Sequence, residues 1–299
     1  MKLHITFHSG CANVIRQVFP DVVTKLVTSG KDGYYYNMTP PRSEQVWEKE
    51  KDYFNSFDTI IVSDTIPLAR PLLDNYDGNI ILYISNRFDY GDTKDPEVFP
   101  DEDYYNEMSK SRLNVKVIAN NYFDKWYAEE RRFMVDGVIK SATPPHPPIK
   151  KERYYVPVYW NDNLFDLATK CSHLNPLTGR YGDGQLDTFK AIIHIPYTWA
   201  SIALYDALAA GVPYYVPTPR LLMELYPTKD FWFQNANYLK KYINLCEFYR
   251  KENSIFVKYF DSFDEIKDIE ADGIYEEAAR IYETSKLLWS ANTNALKNT

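Results

Sequence analysis

The sequence predicts an α/β protein built on two parallel sheets, and three observations carry that expectation. Through the first half of the 299 residues, short apolar runs alternate with stretches of helical spacing; a cluster of prolines then breaks the pattern; a shorter alternation of the same kind follows. Strands alternating with helices imply parallel pairing, with the connecting helices covering both faces of a sheet. The length exceeds one typical domain and suits two of medium size.

The first strand is "LHITF" (3–7), followed by "TIIVSD" (59–64), "NIILYIS" (79–85), "VKVIAN" (115–120) and a weaker "VIKSA" (138–142). Between them, helices are expected at "CANVIRQVF" (11–19), "SEQVWEKEKDYFNSF" (43–57), "EDYYNEMSKSRL" (102–113) and "YFDKWYAEERRFM" (122–134). Ser43, with Glu44 and Gln45 behind it, has the composition of an N-cap. "ATPPHPPIKKERYYVP" (142–157) carries Pro144, Pro145, Pro147 and Pro148, and so much proline continues neither a helix nor a central strand. It marks the expected boundary: an N-terminal domain over 1–145, a C-terminal domain over 146–280, and a closing helix over 281–299 that packs back on the first domain. The second domain reads as the strand "RYYVPVYW" (153–160), a helix near "NLFDLATKC" (163–171), the loop "NPLTGRYGDG" (175–184) and the strand–helix–strand stretch "AIIHIPYTWASIALYDALAAGVPYYVPT" (191–218). "GIYEEAARIYETSKLLWSANTNALKN" (273–298) has helical spacing throughout.

Composition narrows the function. At 45% hydrophobic and 16% aromatic, with 26 tyrosines, the chain buries a substantial core and has rings to spare for clefts. A formal charge of −7 argues against a nucleic-acid partner, which leaves a basic footprint. Cys11, Cys171 and Cys246 are odd in number, widely spaced and without a CxxC pair, which fits free thiols in a reducing compartment and no metal site. "MKLHITFHSG" enters a strand with no apolar signal core, and no apolar run approaches the roughly 18 residues of a membrane span. A cytoplasmic protein is expected, so the "NMT" sequon at 37–39 reads as chance.

The chemistry starts at Tyr197, Thr198, Trp199, Ala200 and Ser201, where an apolar strand meets a helix. Ligands of open α/β sheets bind at the C-terminal ends of strands, and a helix N-terminus offers unpaired N–H groups and about half a positive charge. Thr198 or Ser201 is the expected cap, Asp206 lies on the helix, and Gly211 stands at its C-terminal stop.

"YGDGQLDTFKAIIHIPYTWASIALYDALAAGVPYYVPT" (181–218) resembles the donor-binding unit of GT-B glycosyltransferases. In that family a glycine loop precedes a strand, a polar turn, an acidic helix ending in A-x-G-x-P, and a second strand. "VKVIANNYFDKWYAEERRFMVDGVIKSATPP" (115–145) is more weakly similar to the family's last N-domain strand, helix and strand. Among its members the short exostosin-like enzymes, including those of large algal (chlorella) viruses, are the most similar. The resemblance implies two Rossmann-like domains with parallel sheets facing a cleft. It implies that the turn Tyr197, Thr198, Trp199 and Ser201 holds a nucleotide diphosphate, and that Asp206 binds ribose or sugar hydroxyls. Many retaining members carry a second acid eight positions before Asp206, where this chain has Thr198; that departure points away from retention.

Such an enzyme stabilises a diphosphate leaving group without a bound metal, using helix amides and a basic or polar side chain. Arg180, beside Tyr181 in the glycine loop, and His194 on the strand are the candidates for that contact. A metal-dependent alternative needs an Asp-x-Asp, and "DED" (101–103) fits the pattern but reads as a solvated acidic loop. The general base is expected from the N-terminal domain. His8 ends the first strand; inverting plant-type members have a histidine there, oriented by an Asp, and Asp64 is the candidate partner or the base itself. Asp89, with Arg87 close by, is the third candidate, and the proline-rich linker followed by "KKER" (150–153) reads as a hinge with a solvated charge run, a donor contact being the alternative. A strand-end histidine or carboxylate that merely caps the next helix is the plain alternative for each.

The expected function is therefore a metal-independent, inverting hexosyl- or pentosyltransferase with no cofactor. It takes a nucleotide sugar, UDP-linked and with UDP-xylose in range, to an oligosaccharide or glycoprotein glycan. The competing readings are a nucleotide-sugar epimerase of the same fold, against which only five histidines weigh, and a binding module without turnover. An acceptor made of duplex DNA is disfavoured by the acidic balance.

Overall fold

The computed structural model describes residues 1–89, 102–146, 153–157, 167–179, 186–225, 236–266 and 273–297. Two compact units divide the chain: Met1–Ser141 with Thr284–Thr299, and Ala142–Glu283.

In the first unit the order is β1 (Lys2–Thr6), α1 (Ser9–Val18), β2 (Val23–Leu26), α2 (Pro40–Phe54), β3 (Thr59–Ser63), α3 (Arg70–Leu73), β4 (Asn79–Ile84), α4 (Glu102–Met108), β5 (Val115–Ala119), α5 (Tyr122–Glu129) and β6 (Gly137–Val138). The strands form one sheet in the order β2-β1-β3-β4-β5-β6, and every pairing is parallel. β3 is buried along its whole length and β4 nearly so, which is why both read as unbroken apolar runs: helices cover both faces. α1 turns Cys11, Ala12, Val14 and Ile15 inward.

The second unit runs β7 (Arg153–Pro157), α6 (Leu167–Lys170), β8 (Leu177–Gly179), β9 (Phe189–Ile193), α7 (Ile202–Ala209), β10 (Tyr214–Pro217), α8 (Pro219–Leu225), α9 (Ala236–Tyr242) and β11 (Val257–Phe260). Its sheet is again parallel, in the order β11-β10-β9-β7-β8. Counted from β7, that is the same order as the first five strands of the other unit, read from the opposite edge. The α/β class with two parallel sheets, expected from the alternation, is what the chain adopts. The last helix, α10 (Ile274–Lys297), contributes residues from 284 onward to the first unit. There Trp289 is buried against Phe19 and Tyr83, with ring centroids 5.9 and 5.1 Å apart, and Ser285 Oγ donates to Lys140 O at 3.2 Å.

Several expectations are corrected. α2 begins at Pro40 with Thr39 in the cap position; Pro40 and Pro41 fill the first turn, where a missing N–H costs nothing. Ser43 is thus inside that turn, its N–H donating to Thr39 O at 2.9 Å, and is not the cap. α5 stops at Glu129 rather than 134, because Arg132 turns left-handed (φ 64°). The "VIKSA" strand pairs only at Gly137 and Val138, and α4 ends at Met108. Glu102 and Asp103 of "DED" open α4 rather than a loop, where acids suit the helix dipole, and Asp101 lies outside the described residues. β2, β8 and β11 were not anticipated. β2 is an edge strand whose "VTKL" is half-exposed, so it lacks an apolar run. Asn37 of the sequon is 1% exposed, which leaves no room for a glycan. All three cysteines are buried and free of disulfides. Among the described residues, no helix is long and apolar enough to cross a membrane.

Gly211 ends α7 with φ 64°, a conformation side chains resist, and a β-carbon there would collide with the Tyr275 ring. That ring donates its hydroxyl to Ala210 O at 3.2 Å. Gly211→Ala is therefore expected to destabilise the chain by about 1–3 kcal/mol in urea unfolding, from left-handed strain plus a displaced ring.

Candidate functional site

In a doubly wound sheet the chain leaves the first strand to one side and returns on the other, and the strand ends at that reversal open a crevice. The strand orders place one reversal between β1 and β3 and another between β7 and β9. Residues just after these strands are the ones each sheet offers to a ligand. They are Phe7, His8 and Asp64 in the first unit and His194 to Ser201 in the second.

Asp64 follows β3 directly and takes the left-handed conformation, φ 74°. Its N–H donates to Ser85 Oγ at 3.1 Å, at the end of neighbouring β4. Burial pushes its carboxyl up to about 7, against a lowering hydrogen bond from the Asn86 side chain. Below it lies a polar network. Ser85 Oγ meets Cys11 Sγ at 3.2 Å, Thr6 and Ser63 hydroxyls also reach that sulfur, and Ser63 Oγ hydrogen-bonds His4 Nε2 at 2.7 Å. Desolvation, with Asp64 adding to it, raises the Cys11 thiol to about 12, so it is an inert packing group rather than a nucleophile.

His8 stands in the cap position of α1, where its Nδ1 accepts the Gly10 N–H at 3.1 Å. Among the described residues the His8 ring is bonded to the helix start and not to Asp64. A neutral ring so engaged carries its proton on Nε2, and partial desolvation lowers its pKa. Asp89 is 1% exposed. It accepts hydrogen bonds from Tyr105 at 2.8 Å and Tyr127 at 3.0 Å, with Arg87 Nε at 2.6 Å and Arg131 at 3.8 Å. A carboxylate so surrounded ties the segment after β4 to α4 and α5.

In the second unit, Ser201 occupies the cap position of α7, and its hydroxyl makes no bond to the first turn. The polar turn before it is fixed from behind. Trp199 is buried and its carbonyl accepts the Glu247 N–H at 2.8 Å, while Thr198 O accepts Cys246 Sγ at 3.7 Å. Glu247 is fully buried. It accepts Tyr205 OH from α7 at 2.6 Å and Asn253 Nδ2 at 3.0 Å. Asp206 accepts the Thr143 hydroxyl at 2.5 Å, and His146 N donates to Ala209 O at 2.8 Å, so the start of the proline segment runs along α7. Burial raises the Asp206 pKa, while Thr143 and the nearby His146 oppose that.

His194 is packed rather than poised. Its ring lies 5.1 Å from Phe248, 5.5 Å from Tyr214 and 5.7 Å from Tyr197, centroid to centroid, and burial lowers its pKa to about 3. The ring is neutral at physiological pH, so any contact it makes to a phosphate is a polar one and not a charged one. Arg180 and Tyr181 lie outside the described residues. Sequence reasoning did not find Ser85, Thr143, His146 or Glu247. The one legible signal was Glu247 itself, a carboxylate set in the apolar run "LCEFY". Among the described residues no group of three His, Cys, Asp or Glu is arranged to hold a metal ion.

The two buried histidines set an acid limit. With a folded pKa near 3 and an ordinary value of 6.5, His194 takes a proton in the unfolded chain first. Its contribution to stability is present above about pH 6.5 and is lost as pH falls toward about 3; His4 behaves alike. His194→Phe is expected to fold and to lose less stability than wild type between about pH 7 and pH 5, read from urea midpoints. An equal loss would show that His194 is not held neutral.

No family model matches the sequence, and no curated protein matches it. Among solved structures, the chain is similar to the glycosyltransferase SnogD from Streptomyces nogalater at 14% identity and a TM-score of 0.48, covering 99% of this chain and 98% of that one. It is similar to the glycotransferase of kitacinnamycin at 8% identity and 0.45, covering 99% and 95%. The spinosyn forosaminyltransferase SpnP stands at 10% and 0.40, covering 99% and 86%.

Proposed function

We propose that the chain is a metal-independent GT-B glycosyltransferase that moves a hexosyl or pentosyl group from a nucleotide diphosphate donor to a glycan hydroxyl, with inversion. UDP is the favoured nucleotide, with UDP-xylose among the donors. One observation carries the reading. Two sheets of matching strand order each hold ligand-type groups at the reversal, a carboxyl near neutrality in one and a hydroxyl-bearing helix start in the other.

In the proposed reaction the ionised Asp64 takes the proton of the acceptor hydroxyl as its oxygen attacks the anomeric carbon. The bond from that carbon to the diphosphate oxygen breaks. The charge growing on the leaving group meets the first-turn amides of α7 and the hydroxyls of Thr198 and Ser201. Asp206 exchanges its bond from Thr143 for one from a ribose or sugar hydroxyl. His8 holds the start of α1 beside the base. A carboxyl pushed up to about 7 suits a general base, since proton affinity is then matched to the working pH.

The test is sugar transfer from a panel of nucleotide sugars, with EDTA present and the product's anomeric configuration read by NMR. Turnover that survives the chelator, with an inverted product, is expected; restoration only by manganese, or a retained configuration, contradicts the reading. kcat/KM should rise with pH to a plateau above about 7, as the base ionises. Asp64→Asn should lower kcat about 100-fold or more with donor affinity kept, and His8→Ala should cost far less. Asp206→Asn should weaken nucleotide-sugar binding by about 1–3 kcal/mol in calorimetry.

A further inference from the structure

Phe7, which like Asp64 directly follows its strand, lies against Tyr36 in a tilted pair, with ring centroids 4.3 Å apart and planes at 36°. Both residues are half-buried. β1 and β3 run in parallel register with Ile5 opposite Val62, and Phe7 and Asp64 each follow two residues later, directly after their strands. Val27 N donates to Thr6 O at 2.9 Å, so residues 28–39 leave the sheet at this end and carry Tyr36 over Phe7.

That loop is built rigidly. Gly30, Asp32 and Gly33 turn left-handed at φ 80°, 57° and 88°, and Gly30 N donates to Tyr34 O at 2.7 Å. Tyr34 anchors its hydroxyl on Glu50 at 2.8 Å, and Tyr36 N reaches Ser29 Oγ at 3.4 Å. The Arg42 guanidinium lies 3.9 Å over the Tyr35 ring and donates to Asn37 O at 2.7 Å. Arg70 donates to Met38 O at 2.9 Å. Rings already fixed in place lose little entropy when something settles on them.

We propose that Phe7 and Tyr36 form a stacking platform for a pyranose ring of the acceptor glycan, holding one of its hydroxyls toward Asp64. This rests on the glycosyl-transfer reading of Asp64. A pyranose has one face of C–H groups, which packs on an aromatic face, and an equatorial rim of hydroxyls, which needs polar partners. Both are offered here: aromatic faces from Phe7 and Tyr36, and polar groups from Asp64, Ser85 and Asn86 at the adjacent strand ends. The same carboxylate selects against the other flat ligands. A nucleotide base would bring its phosphates toward an ionised Asp64, whereas a neutral sugar carries no such penalty.

The test uses saturation-transfer NMR with xylobiose, cellobiose, lactose and chitobiose on the full chain, for wild type, Tyr36→Ala and Tyr36→Phe, with circular dichroism as the fold control. At least one disaccharide should show saturated ring C–H protons with wild type and Tyr36→Phe, and none with Tyr36→Ala. In transfer assays Tyr36→Ala should raise the acceptor KM about tenfold with the donor KM unchanged. No disaccharide signal with wild type, or an undiminished one with folded Tyr36→Ala, overturns the platform. Ring-dependent binding without any sugar transfer leaves the platform standing and removes only the proposed activity. Transfer with an unchanged acceptor KM in Tyr36→Ala removes only the platform.

Discussion

The left-handed backbone of Asp64 is the constraint on which the candidate site depends. A non-glycine residue at φ 74° costs about 1–3 kcal/mol and persists only where neighbours over-determine it. Here Ser85 takes the Asp64 N–H, and Ser85 is in turn tied through Cys11 and Ser63 to His4 inside the sheet. The strained residue therefore stands on hydrogen bonds spanning three adjacent strands. The result is a carboxyl at the strand end, partly stripped of water, whose proton affinity burial raises toward neutrality.

The second unit meets a similar demand by different means. Its polar turn is braced by the segment 246–253, where buried Glu247 joins the turn through Trp199 and α7 through Tyr205. Asp206 is braced by Thr143 from the proline segment. The hydroxyl-rich face of the turn is thus held by groups that are not themselves ligand-type. His194 packs among three aromatic rings, one of them Tyr197 of the turn.

The α/β class and the parallel pairing were legible because central strands, covered on both faces, must be apolar end to end. β3 and β4 show that plainly, and so does the Gly211 stop of α7. The edge strand β2 was illegible for the converse reason, since an edge tolerates Thr and Lys. Strand ends located His8 and Asp64, but side-chain direction was invisible. No spacing rule says that His8 turns back to cap α1, or that Asp89 is gripped by two tyrosines and two arginines. Those partners come from residues 10, 87, 105, 127 and 131, three of the five at least 16 residues from the Asp89 they bear on. The proline segment read as a hinge, yet Thr143 and His146 lie along α7, a contact that only folding reveals.

The most direct measurement of the central claim is the titration of the Asp64 carboxyl carbon by NMR in 13C-labelled protein, assigned by its loss in Asp64→Asn. A midpoint near 7 is the result this account predicts. A midpoint near 4, the ordinary value for an aspartate, would mean that the carboxyl is solvated at the strand end and is no better a base than any surface acid.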